Sequence, residues 1–220
     1  MRKYEKIDTI FARDTEGTKK LRPGVFRDKT VQFLALNEWV WTEKIDGTNI
    51  RVYWDGHKVS FGGRTDNAQI PSALVDYLNG IFMNTAAEEL FEQTFGDKEV
   101  IIFGEGYGRK IQKAGSRYIP DGVSFIVFDV LVGKNYQERE WVEKTAEMFG
   151  LKVVPIVGEG TLYNAVKYVS DHPMSIIATE PIEMEGVVCR PKVEMRDRCG
   201  SRLIVKIKWE DIKEILDSDI

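Results

Sequence analysis

The sequence predicts an α+β fold of twisted antiparallel sheets with flanking helices, and three observations carry that expectation. Runs rich in β-branched and aromatic residues, such as Trp39-Val40-Trp41 and Ile50-Arg51-Val52-Tyr53-Trp54, are bounded by Asp-Gly pairs and read as strands. Other stretches place apolar residues at helical spacing. Strands and helices are mixed without the regular βαβ period of a doubly wound sheet. With 220 residues and 43% hydrophobic content, the chain suits one sizeable domain, 1–220, with room for a small lobe.

Residues 1–30 are polar and charged, turn at Pro23-Gly24, and are expected to wrap the domain as short irregular pieces. Residues 39–66 predict a meander of three strands. It turns at Asp46-Gly47 and Asp55-Gly56, where glycine tolerates positive φ. Over 72–95 the sequence predicts a helix pair, with Leu74, Leu78, Ile81 and Phe82 and then Leu90, Phe91 and Phe95 turned to the core. Strands are expected at 99–104 and 124–132. A helix over 138–150 ends at Gly150, a good C-cap, and Val153-Val154 opens another strand. A helix over 160–172 starts after Gly160-Thr161 and ends before Pro173. Strands at 185–190 and 202–209 and a short helix over 209–217 complete the chain, which has no repeats and no low-complexity segment.

Charge narrows the function. There are 31 basic and 35 acidic residues, a net −4, which argues against a broadly basic coat for nucleic acid but leaves room for a local basic groove. Cys189 and Cys199 form no metal-ligand pattern. With no signal peptide and no long apolar run, a reduced cytoplasmic protein is expected. His57 and His172 are too few and too isolated for a histidine-based metal site, and His57, after Asp55-Gly56, reads as a surface residue.

The run Glu43-Lys44-Ile45-Asp46-Gly47-Thr48-Asn49 is the strongest local signal. A lysine projected from a fixed backbone, with its pKa lowered by burial or by neighbouring cations, attacks electrophiles as a neutral amine. By itself the pattern Lys-x-Asp-Gly is weak and reads equally as a hairpin with a solvated lysine. Four later segments change the balance: Phe103-Gly104-Glu105-Gly106, Phe125-Ile126-Val127-Phe128-Asp129, Glu185-Gly186-Val187-Val188, and Val205-Lys206-Ile207-Lys208. In this order they resemble motifs I, III, IIIa, IV and V of the covalent nucleotidyl-transferases, which include DNA ligases, RNA ligases and mRNA capping enzymes. Asn49, five residues after the lysine where DNA ligases and capping enzymes usually carry Arg, makes the chain most similar to the phage-type ATP-dependent RNA ligase 2 family. The resemblance spans roughly residues 39–208 and implies an ATP-grasp-like nucleotidyltransferase domain.

It also implies roles. Lys44 is the expected nucleophile on the α-phosphorus of ATP, giving lysyl-AMP, which then serves to join 5′-phosphate and 3′-hydroxyl RNA ends. Lys206 and Lys208, at i and i+2 on a strand, point to one face and can meet the same phosphate. They also repel positive charge on Lys44. Glu105 is expected at the ribose hydroxyls, among glycines that let a ligand approach closely, and Phe128 on the purine. Arg64, twenty residues after Lys44, is expected at a nucleotide phosphate or the RNA end. Glu43, Asn49 and Glu185 complete the nucleotide contacts. Asp129 and Glu185 are the expected carboxylates for Mg²⁺ or Mn²⁺, since Mg²⁺ takes one or two carboxylates with phosphate oxygens and water. Arg51 reads as a strand-surface residue.

The chain stops twelve residues after Lys208, where RNA ligases of this family carry a further C-terminal domain and DNA ligases and capping enzymes an OB-fold. The sequence alone reads as a minimal ligase, a truncation, or a module working with a protein partner. Two other functions stay open: a GTP-dependent capping-type guanylyltransferase, and a non-catalytic module binding nucleotide or RNA ends. Basic residues outside the motifs, Arg109, Lys110, Lys113 and Arg117 and then Lys192, Arg196, Arg198 and Arg202, are the expected RNA track.

Overall fold

A computed structural model of the chain describes residues 1–14 and 20–216. The chain divides into two compact units. One comprises Met1–Glu5, Asp46–Val154 and Ile177–Glu180; the other comprises Lys6–Ile45, Pro155–Ile176 and the chain from Pro181 onward.

The second unit begins with the strands Asp8–Thr9 (β1), Phe11–Arg13 (β2) and Leu21–Phe26 (β3), the helix Lys29–Leu34 (α1) and the strand Trp39–Glu43 (β4). The stretch 1–30, expected to be irregular, thus contains three short strands; its residues 15–19 lie outside the described residues. Strands β2 and β3 pair with each other, antiparallel, but the pairing of β1 is remote. Asp8 and Thr9 run parallel to Val205 and Lys206, a contact that local composition does not encode. Helix α1 opens at Asp28, whose carboxylate accepts from the Val31 N–H at 2.8 Å and satisfies an amide the helix start leaves unpaired. Strand β4 buries Trp39, Trp41 and Glu43 and leaves Val40 and Thr42 half-buried, the alternation of a strand with one core face.

The first unit takes up the chain with Thr48–Trp54 (β5), Val59–Gly62 (β6), the helices Ser72–Phe82 (α2) and Thr85–Phe95 (α3), and Val100–Gly108 (β7). There follow the short helix Gly115–Tyr118 (α4), Val123–Val132 (β8), Asn135–Tyr136 (β9), the helix Arg139–Met148 (α5) and Lys152–Val153 (β10). Its strands form one sheet in the order β10-β8-β7-β5-β6, with β9 on β8. All pairs are antiparallel except β10 with β8. Ile50, Val52 and Trp54 of β5 lie on one face and share a core with Leu74, Leu78, Phe82 and Phe91 of the helix pair. Helix α5 ends as its sequence predicts. Gly150 sits at φ +66°, and the Leu151 and Gly150 N–H groups donate to Ala146 and Glu147 carbonyls, each at 2.9 Å, the paired bonds of a Schellman end.

The chain then returns to the second unit with Ile156–Gly160 (β11), the helix Leu162–Ser170 (α6), Gly186–Pro191 (β12), Val205–Lys208 (β13) and the helix Trp209–Leu216 (α7). The sheet runs β1-β13-β12-β4-β11, antiparallel apart from β1 with β13. Trp39, Trp41, Val187, Val205 and Ile207 share its core with Leu162, Ala165 and Val169 of α6. Thr161 caps α6 reciprocally with Asn164. Asp217, the expected last residue of the terminal helix, lies outside the described residues. Both main sheets are largely antiparallel with helices packed on them, which is the α+β class predicted. No helix among the described residues is long and apolar enough to cross a membrane.

The three-strand meander over 39–66 does not form. Strands β5 and β6 are a hairpin about Asp55-Gly56, but β4 pairs with β12 and β11 while β5 pairs with β6 and β7. Asp46-Gly47 is therefore not a hairpin turn. Gly47 is required for a different reason from the one expected: a Cβ there would come within 2.3 Å of the Gly106 carbonyl oxygen. Close approach to β7, not positive φ, selects glycine at this position.

Candidate active site

The second unit gathers Lys44, Glu185, Lys206 and Lys208. Strands β4, β12 and β13 are neighbours in its sheet. Lys44 follows β4 directly, and its N–H donates to the Gly186 carbonyl at 2.9 Å. Glu185 immediately precedes β12, and its own carbonyl accepts from the Trp209 N–H at 2.9 Å. The backbone on both sides is thus pinned, and the side chains meet. Lys44 Nζ lies 2.6 Å from Glu185 Oε2, and Lys208 Nζ lies 2.5 Å from Glu185 Oε1. Gly186 makes this possible. At φ +153° it has a conformation that side chains rarely adopt, and a Cβ would come within 2.2 Å of the Ile207 carbonyl oxygen. Lys206 and Lys208 share a face of β13, as their spacing predicts, while Val205 and Ile207 enter the core.

These charges shift one another. Burial, reinforced by the positive charges of Lys44 and Lys208, holds Lys206 below the ordinary lysine range. Burial is also the largest influence on Lys208 and pulls it down. The hydrogen bond and charge of Glu185, with Glu210 and Asp211, outweigh it, and Lys208 ends above the ordinary range. Behind them sits Asp211, 4% exposed. It accepts from the Lys208 N–H at 3.1 Å and from Arg13 at 2.8 Å. Burial raises its carboxyl, against the downward pull of the Lys208 N–H and of Arg13. No sequence motif marked Arg13 or Asp211. The only signal was an acidic residue in the first turn of a helix.

Glu43 has a different setting. It is 1% exposed, and its carboxylate accepts from the Ser175 hydroxyl and from the Ile176 N–H at 3.0 Å. The structure places it in the wall of the unit, gripping the segment that leads toward Glu185.

The other predicted residues lie in the first unit. Asn49, Glu105, Phe128 and Asp129 belong to the sheet face opposite the helix pair. Asn49 and Glu105 are direct cross-strand partners. Asn49 Oδ1 is buried and has no hydrogen-bond partner among the described residues. Phe128 lies where the β7–β8 register shifts, and packs edge-on against Tyr4 with ring centroids 4.9 Å apart. The Asp129 carboxylate is fully buried and accepts from the Tyr4 hydroxyl at 2.8 Å. The glycines beside Glu105 serve the core: a Cβ at Gly104 would strike Phe125 at 2.4 Å, and one at Gly106 would strike Leu74 at 2.3 Å. Arg64 is exposed on the loop after β6. Arg51, read from sequence as a surface residue, is instead fully buried.

The RNA ligase family model matches residues 37–208. The chain belongs to the RNA ligase family. Among solved structures it is similar to forms of the RNA ligase of Naegleria gruberi. One substituted form with ATP and manganese aligns at a TM-score of 0.65 and 18% identity, covering 99% of this chain and 58% of that one. A second, also with ATP and manganese, gives 0.61 and 18% over 87% of this chain and 55% of that one. An apo form gives 0.60 and 17% over 99% and 64%. At such identity the likeness speaks for the fold, and this chain spans 55–64% of the length of those chains.

Proposed function

We propose that this chain is the adenylyl-transferring part of an ATP-dependent RNA ligase. The observation that carries the reading is the single carboxylate of Glu185 bridging Lys44 and Lys208. A lysine so held has a fixed position and a proton acceptor at hydrogen-bond distance.

Lys44 Nζ gives up a proton toward Glu185, and its lone pair attacks the α-phosphorus of ATP. The N–P bond forms as the P–O bond to pyrophosphate breaks. Lys206 and Lys208 neutralise charge that develops on the phosphate oxygens. The 5′-phosphate of an RNA end then attacks the same phosphorus, freeing Lys44. Finally a 3′-hydroxyl attacks that 5′-phosphate and AMP leaves.

The nucleoside contacts are assigned to Asn49, Glu105 and Phe128. The unsatisfied Asn49 oxygen supports a polar ligand there, since buried polar atoms rarely go unpaired. Glu43 acts by holding the segment at Ser175. For Mg²⁺ or Mn²⁺ the donor set fits a substrate-borne ion. No group of three or more candidate ligands converges among the described residues, and Mg²⁺ requires only one or two carboxylates beside phosphate oxygens and water. Glu185 and Asp129, the latter accepting from the Tyr4 hydroxyl, are the two carboxylates assigned to it. When bound, the ion would neutralise phosphate charge.

Arg109, Lys110 and Lys113 form the proposed RNA track, with Arg109 paired to the exposed Asp121 at 2.7 Å. In the other basic group, Lys192 pairs with Glu38 and Glu159, and Arg202 with Glu194. The deciding experiment labels the protein with radioactive ATP and, in parallel, GTP. The reading expects a covalent adduct from ATP; an adduct from GTP alone would make the chain a guanylyltransferase. Nucleotide binding without turnover would make it a sensing module.

A further inference from the structure

Arg51 is among the largest fully buried side chains of the molecule, and no role has been assigned to it. Burying a guanidinium is costly unless its N–H groups are paired, and here they are. Nε donates to the Gly63 carbonyl at 2.7 Å, and one terminal nitrogen donates to the Asp66 carboxylate at 2.9 Å. The other donates to the carbonyls of Met1 at 3.0 Å and Arg2 at 3.4 Å. Arg51 lies opposite Gly62 on β6, the edge strand of the sheet. Its head reaches the loop that follows that edge.

Two of these anchors, Gly63 and Asp66, bracket Arg64. The pinned loop therefore carries an exposed arginine between two fixed points. Asp66 is kept ionised by the Arg51 hydrogen bond, which lowers its carboxyl below the ordinary range although the side chain is 65% exposed. A held loop loses less conformational freedom when its arginine engages a phosphate.

We infer that Arg51 is a positioning residue, holding the Gly63–Asp66 loop so that Arg64 meets a phosphate of the nucleotide or of the RNA end. This rests on the adenylyl-transfer reading and on the role given there to Arg64 by resemblance.

The test compares Arg64→Ala, Asp66→Ala, Arg51→Lys and the double variant Asp66→Ala/Arg64→Ala. Auto-adenylation with labelled ATP and joining of a nicked RNA duplex are measured, with thermal midpoints. Arg64→Ala should slow one of the two steps. Asp66→Ala removes one partner of the buried guanidinium and should slow the same step about tenfold, measured on the fraction that the thermal midpoint shows to be folded. The double variant should be no slower than Arg64→Ala alone, because both act through one side chain. If Asp66→Ala and Arg51→Lys keep the unsubstituted rate, or if the losses multiply, the inference is wrong while the adenylyl reading stands. If Arg64→Ala changes neither step, the roles of Arg64 and Arg51 fall together. Absence of any adduct from the unsubstituted chain refutes the adenylyl reading itself. Tryptic cleavage after Arg64 reads the clamp without activity: Asp66→Ala should accelerate it about tenfold, and an unchanged rate would overturn the clamp.

Discussion

Lys208 Nζ lies 2.5 Å from Glu185 Oε1, the carboxylate oxygen that Lys44 leaves unused. One acid thus organises two lysines, while Lys206, half-buried on the same face, is held down by burial and by the charges of Lys44 and Lys208. The two β13 lysines are set in opposite electrostatic states from neighbouring positions on one face.

That difference predicts a pH dependence. Lys206 has a depressed pKa in the folded chain, so between its folded value and the ordinary lysine value the unfolded chain binds more protons. Stability contributed by this site is fully present above the unfolded value and is lost as pH falls through the folded one. Lys206→Met should remove this rise of stability with pH below about 10.4 and leave neutral-pH stability equal or higher. Lys208, raised, contributes stability below its unfolded value that is lost as pH rises through the folded one. Urea melts across pH 7–11 check both signs; an unchanged slope in Lys206→Met would contradict the burial argument.

Glu43→Gln should cost about 1–3 kcal/mol, because an amide must replace a carboxylate that accepts two buried hydrogen bonds. The shift should appear in the urea midpoint. A change in ATP affinity with no loss of stability would instead return Glu43 to the nucleotide.

Gly186→Ala should destabilise by roughly 1–3 kcal/mol through overpacking and backbone strain. The added methyl would press on the Ile207 carbonyl and part β12 from β13. Since Glu185 and Lys208 sit at that junction, adduct formation should fall even in the fraction that remains folded, as circular dichroism and labelling together would show.

Replacing Arg109, Lys110 and Lys113 together with Ala should weaken RNA joining while leaving auto-adenylation intact. Joining of pre-adenylylated RNA by the unsubstituted chain should fall steeply with salt, as phosphate contacts require. Equal loss of both activities would place these residues in the fold or the nucleotide pocket.

Much of this arrangement is visible in the sequence because it is local. The i, i+2 spacing put Lys206 and Lys208 on one face, and Gly150 and Thr161 marked helix ends through backbone chemistry that needs no partner. What local patterns do not carry is partnership. Trp39–Glu43 reads as a strand equally well beside Thr48–Trp54 or beside Gly186–Pro191, and only the latter pairing occurs. Asp8–Thr9 has too few residues to announce itself until Val205 and Lys206 lie beside it. Arg51 looks like a surface charge because hydropathy ranks a residue by type, whereas burial follows from the carbonyls and carboxylate that happen to surround it. Glycines beside a carboxylate read as room for a ligand, whereas the space beside Gly104 and Gly106 is taken by Phe125 and Leu74.

The central claim is that Lys44 becomes covalently adenylylated. The direct measurement is incubation with α-labelled ATP and Mg²⁺, digestion, and mass mapping of the labelled peptide, alongside Lys44→Ala and Glu185→Ala. The account predicts AMP on Lys44 through a phosphoramidate that is labile to acid and stable to alkali, no label in Lys44→Ala, and strongly reduced label in Glu185→Ala. Label on another residue, label that survives Lys44→Ala, or no label at all would contradict it.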